Sequence, residues 1–439
     1  MIPFLQSRRD FLATTGGLLA GASIYGNHFA PKPLKVAAIY TVFRHRSHAH
    51  DIVENFLEPC LFNGEKREHG MKVVSFYADQ RSAEGDMTDD VAKQYNVTVY
   101  KTIEEALTLG GKELAVDAVL SIGEHGDYPV NDLGQTEYPR KRFFDAIVAV
   151  MKKSNRFVPI FNDKHLSFRW DWAKEMYDTA KKHGIPLMAS SSVPLAQRIP
   201  AWEFPKGAVV EEALSIHAGG PESYDFHGAE VLQSLIEARK GGETGISKVE
   251  FITGDAFWKA AADKRWSIDL ANLALAQEFG KEPFDIRKMG GTKETDPHAL
   301  LLIYKDGTRG TVLKISRKSD RWLFACKLKG DDKPHAFRWY VGPWRNRNLF
   351  KALSNAIQHH FREGKPPYPL ERTLLTTGIV EASMKSRAQG KAVATPHLEF
   401  TYEPVDFKAF RETGASWEKV LTEETPELKG ITPFGGKKK

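Results

Sequence analysis

Residues 115–122 read Ala-Val-Asp-Ala-Val-Leu-Ser-Ile and stop at Gly123-Glu124. A strand with one wet face alternates apolar and polar residues. This one does not, so both its faces are destined for burial, as in a parallel sheet covered by helices. Runs of the same kind lie on either side: Leu34–Tyr40, Met71–Tyr77 and the short Thr98–Tyr100 before it, Phe157–Phe161 and Ile185–Ala189 after it. Helical stretches separate them. These are Ile103–Leu109, Arg142–Met151 and Trp170–His183, the last followed by Gly184 where a left-handed cap is expected. Strands alternating with helices over 34–198 predict an α/β domain with a doubly wound parallel sheet.

The pattern changes near residue 205. Glu222–Arg239 reads as helix, and Val249–Thr253, Ala299–Tyr304 and Thr311–Ser316 read as strands. Asp306-Gly307, between the last two, signals a hairpin. Phe350–Phe361 and Leu370–Arg387 are helical. A second, α+β domain with an open, largely antiparallel sheet is therefore expected over 199–425, ahead of a basic tail at 426–439.

Composition narrows the function classes. With 439 residues and 41% hydrophobic content, the chain is long enough to bury its cores without disulfide or metal staples. Half of the net charge of +6 is Lys437, Lys438 and Lys439. The rest is too weak and too spread out to mark a nucleic-acid partner. No apolar run reaches the roughly 18 residues of a membrane span. The two cysteines, Cys60 and Cys326, have no metal spacing. They read as buried thiols, with a disulfide open only to an exported chain.

The N-terminus reads as an address. Ser7-Arg8-Arg9-Asp10-Phe11-Leu12 precedes the weakly apolar Ala13–Tyr25, with Ala20-Gly21-Ala22 as a cleavage candidate. This is the twin-arginine pattern, and residues 1–30 are expected to be a signal that directs a folded protein to the periplasm.

Several short stretches, in order, carry a family likeness. Phe161-Asn162-Asp163-Lys164-His165 follows a strand, Ala180–Pro186 makes a helix-to-strand step, and Tyr224–Glu230 holds an H-x-x-E. Gly364-Lys365-Pro366-Pro367 then leads into a closing helix with Glu371, Glu381-Ala382, Ser386 and Gly390. The chain resembles the Gfo/Idh/MocA family of glucose–fructose oxidoreductase and inositol dehydrogenase. The resemblance implies an N-terminal Rossmann domain, tightly bound NAD or NADP, hydride transfer to or from a sugar or polyol, and a homo-oligomer formed through the C-terminal sheet. Lys164, with Asp163 beside it, falls on the family's E-K-P lysine. His227 falls on its catalytic histidine, and Glu230 on the carboxylate that orients it. On a helix, residues three apart share a face.

The sequence also departs from the family. A dinucleotide fingerprint places glycines after the first strand so that backbone can approach the pyrophosphate. Here that stretch is Tyr40-Thr41-Val42-Phe43-Arg44-His45-Arg46-Ser47-His48, without glycine. Arg44, Arg46 and Ser47 are the candidates for holding a phosphate by side chains, at a helix start, and Tyr40 and Thr41 belong to the same candidate cofactor loop. Asp79 ends the second strand, where an acid binds ribose, although Asp51–Gly70 reads as an insertion before it. Glu124 and His125 make the loop after the fourth strand polar, near where a nicotinamide would lie. Trp258, Lys264, Trp266 and Asp269 suit a sugar, with ring faces to stack on and charges to meet hydroxyls.

Two other readings compete. A cofactor-free carbohydrate-binding descendant would explain the missing glycines. A metal-assisted sugar lyase or hydrolase could use His45, His48, His50 and Asp51 with His125, Asp127, Asp163 and His165, although these match no standard zinc spacing. No metal ligand set is assigned.

Overall fold

Leu34–Tyr40 (β1) lies between Met71–Ala78 (β4) and Ala118–Ile122 (β6), parallel to both. The first half runs β1, His48–Leu57 (α1), a hairpin of Cys60–Phe62 (β2) and Glu65–Arg67 (β3), β4, Thr88–Tyr95 (α2), Thr98–Tyr100 (β5), Ile103–Thr108 (α3) and β6. It continues through Arg140–Lys153 (α4), Ile160–Asp163 (β7), Trp170–His183 (α5) and Leu187–Ser190 (β8). The six parallel strands lie in the order β5-β4-β1-β6-β7-β8. In this computed structural model the described residues are 32–83, 85–280, 285–289, 297–315, 322–342 and 347–416. The expected signal at 1–30 and tail at 426–439 lie outside them.

The unbroken apolar runs are explained by two-sided burial. Val36, Ala38 and Tyr40 pack into one core, Ala37 and Ile39 into another on the opposite face. Two strand boundaries differ from the sequence reading for one reason. Pro159 and Pro186 have no N–H to donate, so β7 starts at Ile160 and β8 at Leu187, and Asp163 becomes the last strand residue. The expected insertion also shrinks: Asp51–Leu57 completes α1, so the addition is mainly the β2–β3 hairpin. Gly184 caps α5 with φ 62°, as expected.

The second sheet has eight strands: Gln197–Ile199 (β9), Val210–His217 (β10), Ile246–Thr253 (β11), His298–Tyr304 (β12), Arg309–Lys314 (β13), Trp322–Leu328 (β14), His335–Tyr340 (β15) and Val393–Ala394 (β16). Their order is β16-β11-β12-β13-β10-β14-β15-β9, and all pairs but β10–β13 are antiparallel. The Asp306-Gly307 hairpin joins β12 to β13, with Gly307 at φ 86°.

Ser223–Ile236 (α6) covers one face of this sheet. Asp255–Ala262 (α7) and Ile268–Phe279 (α8) cover the other, over Leu214 and Ile216. The resemblance implies pairing of copies through this sheet, which carries α6 on one face and α7 and α8 on the other. Arg347–Glu363 (α9) returns to pack on α1, and Leu370–Gln389 (α10) packs on α6, α5 and β11. Both α6 and α10 reach the carboxyl end of β8, where Thr373 donates to the Ala189 carbonyl and His227 meets Ser191. Cys60 and Cys326 are free, buried thiols, so no disulfide joins them.

Candidate active site

Strand order reverses between β1 and β6, with β4 and β5 added on one side and β7 and β8 on the other, and ligands of doubly wound sheets bind at the carboxyl ends of the strands flanking such a point. The loops after β6 and β7 carry Glu124 and Lys164, whose Nζ and Oε1 lie 2.7 Å apart in a buried ion pair. Arg140, fully buried in the first turn of α4, holds the other oxygen of Glu124. Gly123 makes this possible. A Cβ there would lie 2.8 Å from Arg140 Cγ. Burial opposes ionisation of Glu124, but Lys164 and Arg140 together hold its carboxyl well below the ordinary range. Arg140 also donates to the Asp163 carbonyl at 3.2 Å and meets His165 Nε2 at 3.2 Å. His165 in turn faces Glu222 Oε1 at 3.2 Å.

A second chain of contacts crosses the same crevice. His48 Nδ1 lies 2.6 Å from Asp163 Oδ2, which joins the start of α1 to the end of β7. His125 stands beside it, with ring centroids 5.1 Å apart. Burial, and then the nearby His48, press the His125 pKa down to about 3. From α6, His227 takes a 2.6 Å contact between Nδ1 and Ser191 Oγ. Burial first, then Lys164 and His48, push His227 well below the ordinary imidazole value, so it is a neutral base at pH 7.

The backbone is strained where these side chains meet. His125, Lys164 and Glu222 have φ of 69°, 63° and 65°. Such conformations cost on the order of 1–3 kcal/mol each and persist where the surroundings over-determine them, typically at functional sites.

The expected residues fall into three groups. Lys164, Asp163, Glu124, His125 and His227 are brought together. Glu230 is not with them: its Oε1 accepts from Thr373 and Thr376 hydroxyls at 3.1 and 2.6 Å, on α10. The helix turns it towards α10, so Ser191 rather than Glu230 orients the imidazole. Trp258, Lys264, Trp266 and Asp269 lie on the α7–α8 side, across the sheet from His227. Trp266 is core, its Nε1 donating to the Phe257 carbonyl at 3.1 Å, while Lys264 and Asp269 are exposed.

The proposed cofactor residues are also differently employed. Tyr40 is core beside Phe43 and Phe76, its hydroxyl 3.3 Å from Thr88. Thr41 donates its hydroxyl to the Glu124 carbonyl. Ser47 caps α1, accepting from the amides of His50 and Arg44 at 3.3 and 3.2 Å. Asp79 accepts from Tyr77, Tyr128 and Arg142 at 2.8, 2.7 and 2.6 Å. The amides of Thr41 and Ser47 bond to Ile122 and Arg44 carbonyls, and that of Arg46 to His50 Nδ1. The amides a pyrophosphate would use are thus largely bonded within the fold. This loop does not fit a dinucleotide laid over it as over a glycine-rich turn.

Sequence reasoning passed over Arg140, Ser191 and Glu222, which no local motif marks. It also passed over a second buried cluster, His217, Asp225 and His298, built from β10, α6 and β12. Of the residues grouped as a metal alternative, His48 meets Asp163 and His125, whereas His165 turns to Arg140 and Glu222; among the described residues they form no three-ligand cluster of the kind that His217, Asp225 and His298 make.

No protein-family model matches the chain, and no curated protein is similar to it in sequence. Solved structures do match. GenD2 from gentamicin A biosynthesis, in complex with NAD, superposes with a TM-score of 0.52 at 12% identity, over 83% of this chain and 96% of that one. The myo-inositol dehydrogenase from Lactobacillus casei, in complex with NAD(H) and myo-inositol, gives 0.52 at 14% identity, over 82% and 96%. The apo scyllo-inositol dehydrogenase from Lactobacillus casei gives 0.50 at 11%, over 83% and 98%. This chain has the fold of these dehydrogenases. The Gfo/Idh/MocA resemblance is thereby borne out in architecture, in both sheets and over most of each chain. Among the described residues no helix is long and apolar enough to cross a membrane.

Proposed function

We propose that this chain is an enzyme of the dehydrogenase fold that transforms a carbonyl-bearing sugar by proton transfer at the carbon beside the carbonyl, in the crevice between the parallel sheet and α6. The observation that carries this reading is buried Lys164, fixed in a strained conformation against Glu124, with neutral His227 in the same electrostatic neighbourhood. A lysine so placed donates a hydrogen bond to a substrate hydroxyl or carbonyl oxygen. His227, its Nδ1 occupied by Ser191, takes or returns a proton at Nε2. His48, pinned by Asp163, offers a second such site. The export pattern around Arg8 and Arg9 supports a periplasmic setting, where no free nicotinamide pool turns over.

A second reading, hydride transfer to a tightly held NAD or NADP, is favoured by the NAD-bound proteins of the same fold. It needs another seat for the phosphates, on the side chains of Arg44 and Arg46 instead of loop amides.

Denaturing the purified protein and measuring released nicotinamide by absorbance and mass spectrometry separates the two. No nicotinamide, and no binding of added NAD(H) or NADP(H), is expected. A near-stoichiometric yield would establish the second reading and overturn the first. The proton-transfer reading is then tested with aldoses, ketoses and sugar acids in deuterium oxide, where exchange at the carbon beside the carbonyl, or elimination of a hydroxyl from the next carbon, is expected and is lost in Lys164→Met.

A further inference from the structure

His217 and His298 stand two strands apart on the face of the second sheet that carries α6, with Lys314 of β13 opposite both in the strand register. Asp225, in the first turn of α6, comes down between them. His217 Nε2 lies 2.9 Å and His298 Nε2 2.8 Å from one and the same oxygen, Asp225 Oδ1. The other oxygen, Oδ2, accepts from the Glu222 amide at 3.1 Å, which fixes the carboxylate plane. His217 and Asp225 are wholly buried and His298 nearly so. We propose that His217, Asp225 and His298 form a binding site for one divalent cation of the borderline class, such as zinc.

The donor set, two imidazoles and one carboxylate, is the type that binds such cations with positions left for water or a substrate oxygen. Metal–ligand bonds of about 2.1 Å put neighbouring ligands roughly 3.0–3.4 Å apart. Two nitrogens within a few tenths of an ångström of that spacing from one oxygen, and all three ligand atoms within 4.8 Å of one another, outline one face of a coordination sphere. The site asks for little rearrangement. Its ligands stand on two strands and a capped helix turn, and the bound carboxylate already has an outer partner in the Glu222 amide. Neutral imidazole is the form that ligates.

The position joins this site to the crevice. Asp225 and His227 are two residues apart on α6, and the Trp322 ring lies 5.7 Å from His217 and 5.3 Å from His227. The inference does not depend on the proton-transfer reading, because its readout is the metal itself.

The test uses the full chain, untagged and stripped with a chelator. Titration with cobalt(II) should give visible d–d bands that saturate at a single equivalent and are displaced by zinc. His298→Gln and Asp225→Asn should each abolish them, with folding checked by circular dichroism. No bands in the wild type, or bands that survive in the folded variants, would overturn the site. Should both variants fail to fold, X-ray absorption on cobalt-loaded wild type decides: imidazole scattering from two histidines is expected, and its absence refutes the proposal.

Discussion

His48 and Asp163 meet across the crevice, Nδ1 to Oδ2 at 2.6 Å, and so tie the first helical residue of α1 to the last residue of β7. A carboxylate on Nδ1 fixes the imidazole's orientation and leaves Nε2 as the proton-transfer atom. General acid–base groups contribute about 10²–10⁴-fold to rate. Asp163→Asn and His48→Gln should therefore each lower kcat by about 100-fold or more with a smaller change in KM. Because the two act as a unit, the double variant should be no slower than the worse single one. Multiplicative losses would show that they work independently.

Glu124 neutralises two buried cations. Replacing it with Gln leaves Lys164 and Arg140 facing each other without a counter-charge, a change that typically destabilises by about 3–5 kcal/mol. Its folded carboxyl sits well below its ordinary 4.5. Its contribution is therefore present above about pH 4.5 and is lost as pH falls towards the folded value. Urea denaturation should show a large loss for Glu124→Gln at pH 7. The gap to wild type should narrow below pH 4.5.

His125 works in a different window. The folded chain keeps it neutral down to about pH 3, whereas the unfolded chain protonates it near 6.5. The unfolded state thus binds the extra proton, so this residue's contribution is complete above 6.5 and shrinks as pH falls towards 3. Asn tolerates the left-handed backbone here and does not titrate. Between pH 7 and 5, wild type should lose about 1–2 kcal/mol more than His125→Asn, at most about 1.4 kcal/mol per pH unit. Parallel pH dependences in denaturation curves would contradict a buried neutral imidazole.

Gly228 sets how closely α6 approaches the sheet. A Cβ would lie 2.5 Å from Val312 Cγ1 and 3.0 Å from the His217 ring. Gly→Ala inside a helix ordinarily stabilises by about 0.5–1 kcal/mol. Overpacking a core ordinarily costs about 1–3 kcal/mol, and here the clash is with a strand and a buried imidazole, so destabilisation wins. Gly228→Ala should lower the denaturation midpoint and weaken cobalt binding, because Asp225 is carried away from His217.

The architecture was legible because two-sided burial writes itself into sequence as unbroken apolar runs such as Val36–Tyr40, and because Gly184 and Asp306-Gly307 have local turn chemistry. The strand ends slipped by up to three residues where Pro159 and Pro186 deny a ladder hydrogen bond. Lys164 and His227 could be found since each belongs to a short motif. Arg140, Ser191 and Glu222 could not, because the site residues they meet, Glu124, His227 and His165, stand 16 or more residues away and only the fold brings them together. Trp258 and Trp266 misled for a related reason: an aromatic residue beside charged ones looks the same in sequence on either face of a sheet.

Glu230 tests the difference between a helix-spacing argument and the observed packing. Three residues from His227 on α6, it suits an orienting carboxylate by spacing alone. Its Oε1 instead accepts from Thr373 and Thr376, and burial raises its pKa above the ordinary value. Glu230→Gln keeps an acceptor oxygen for both hydroxyls and removes a charge that burial opposes. Stability should therefore change by less than about 1 kcal/mol, in keeping with a hydrogen bond retained. Activity should stay within a few-fold of wild type, since no contact to the imidazole is lost. Ser191→Ala removes the hydroxyl that meets His227 Nδ1 and should slow turnover at least 10-fold. If Glu230→Gln were instead the slower variant, the carboxylate would have to reach His227 during turnover, and α6 would have to turn away from α10 to allow it.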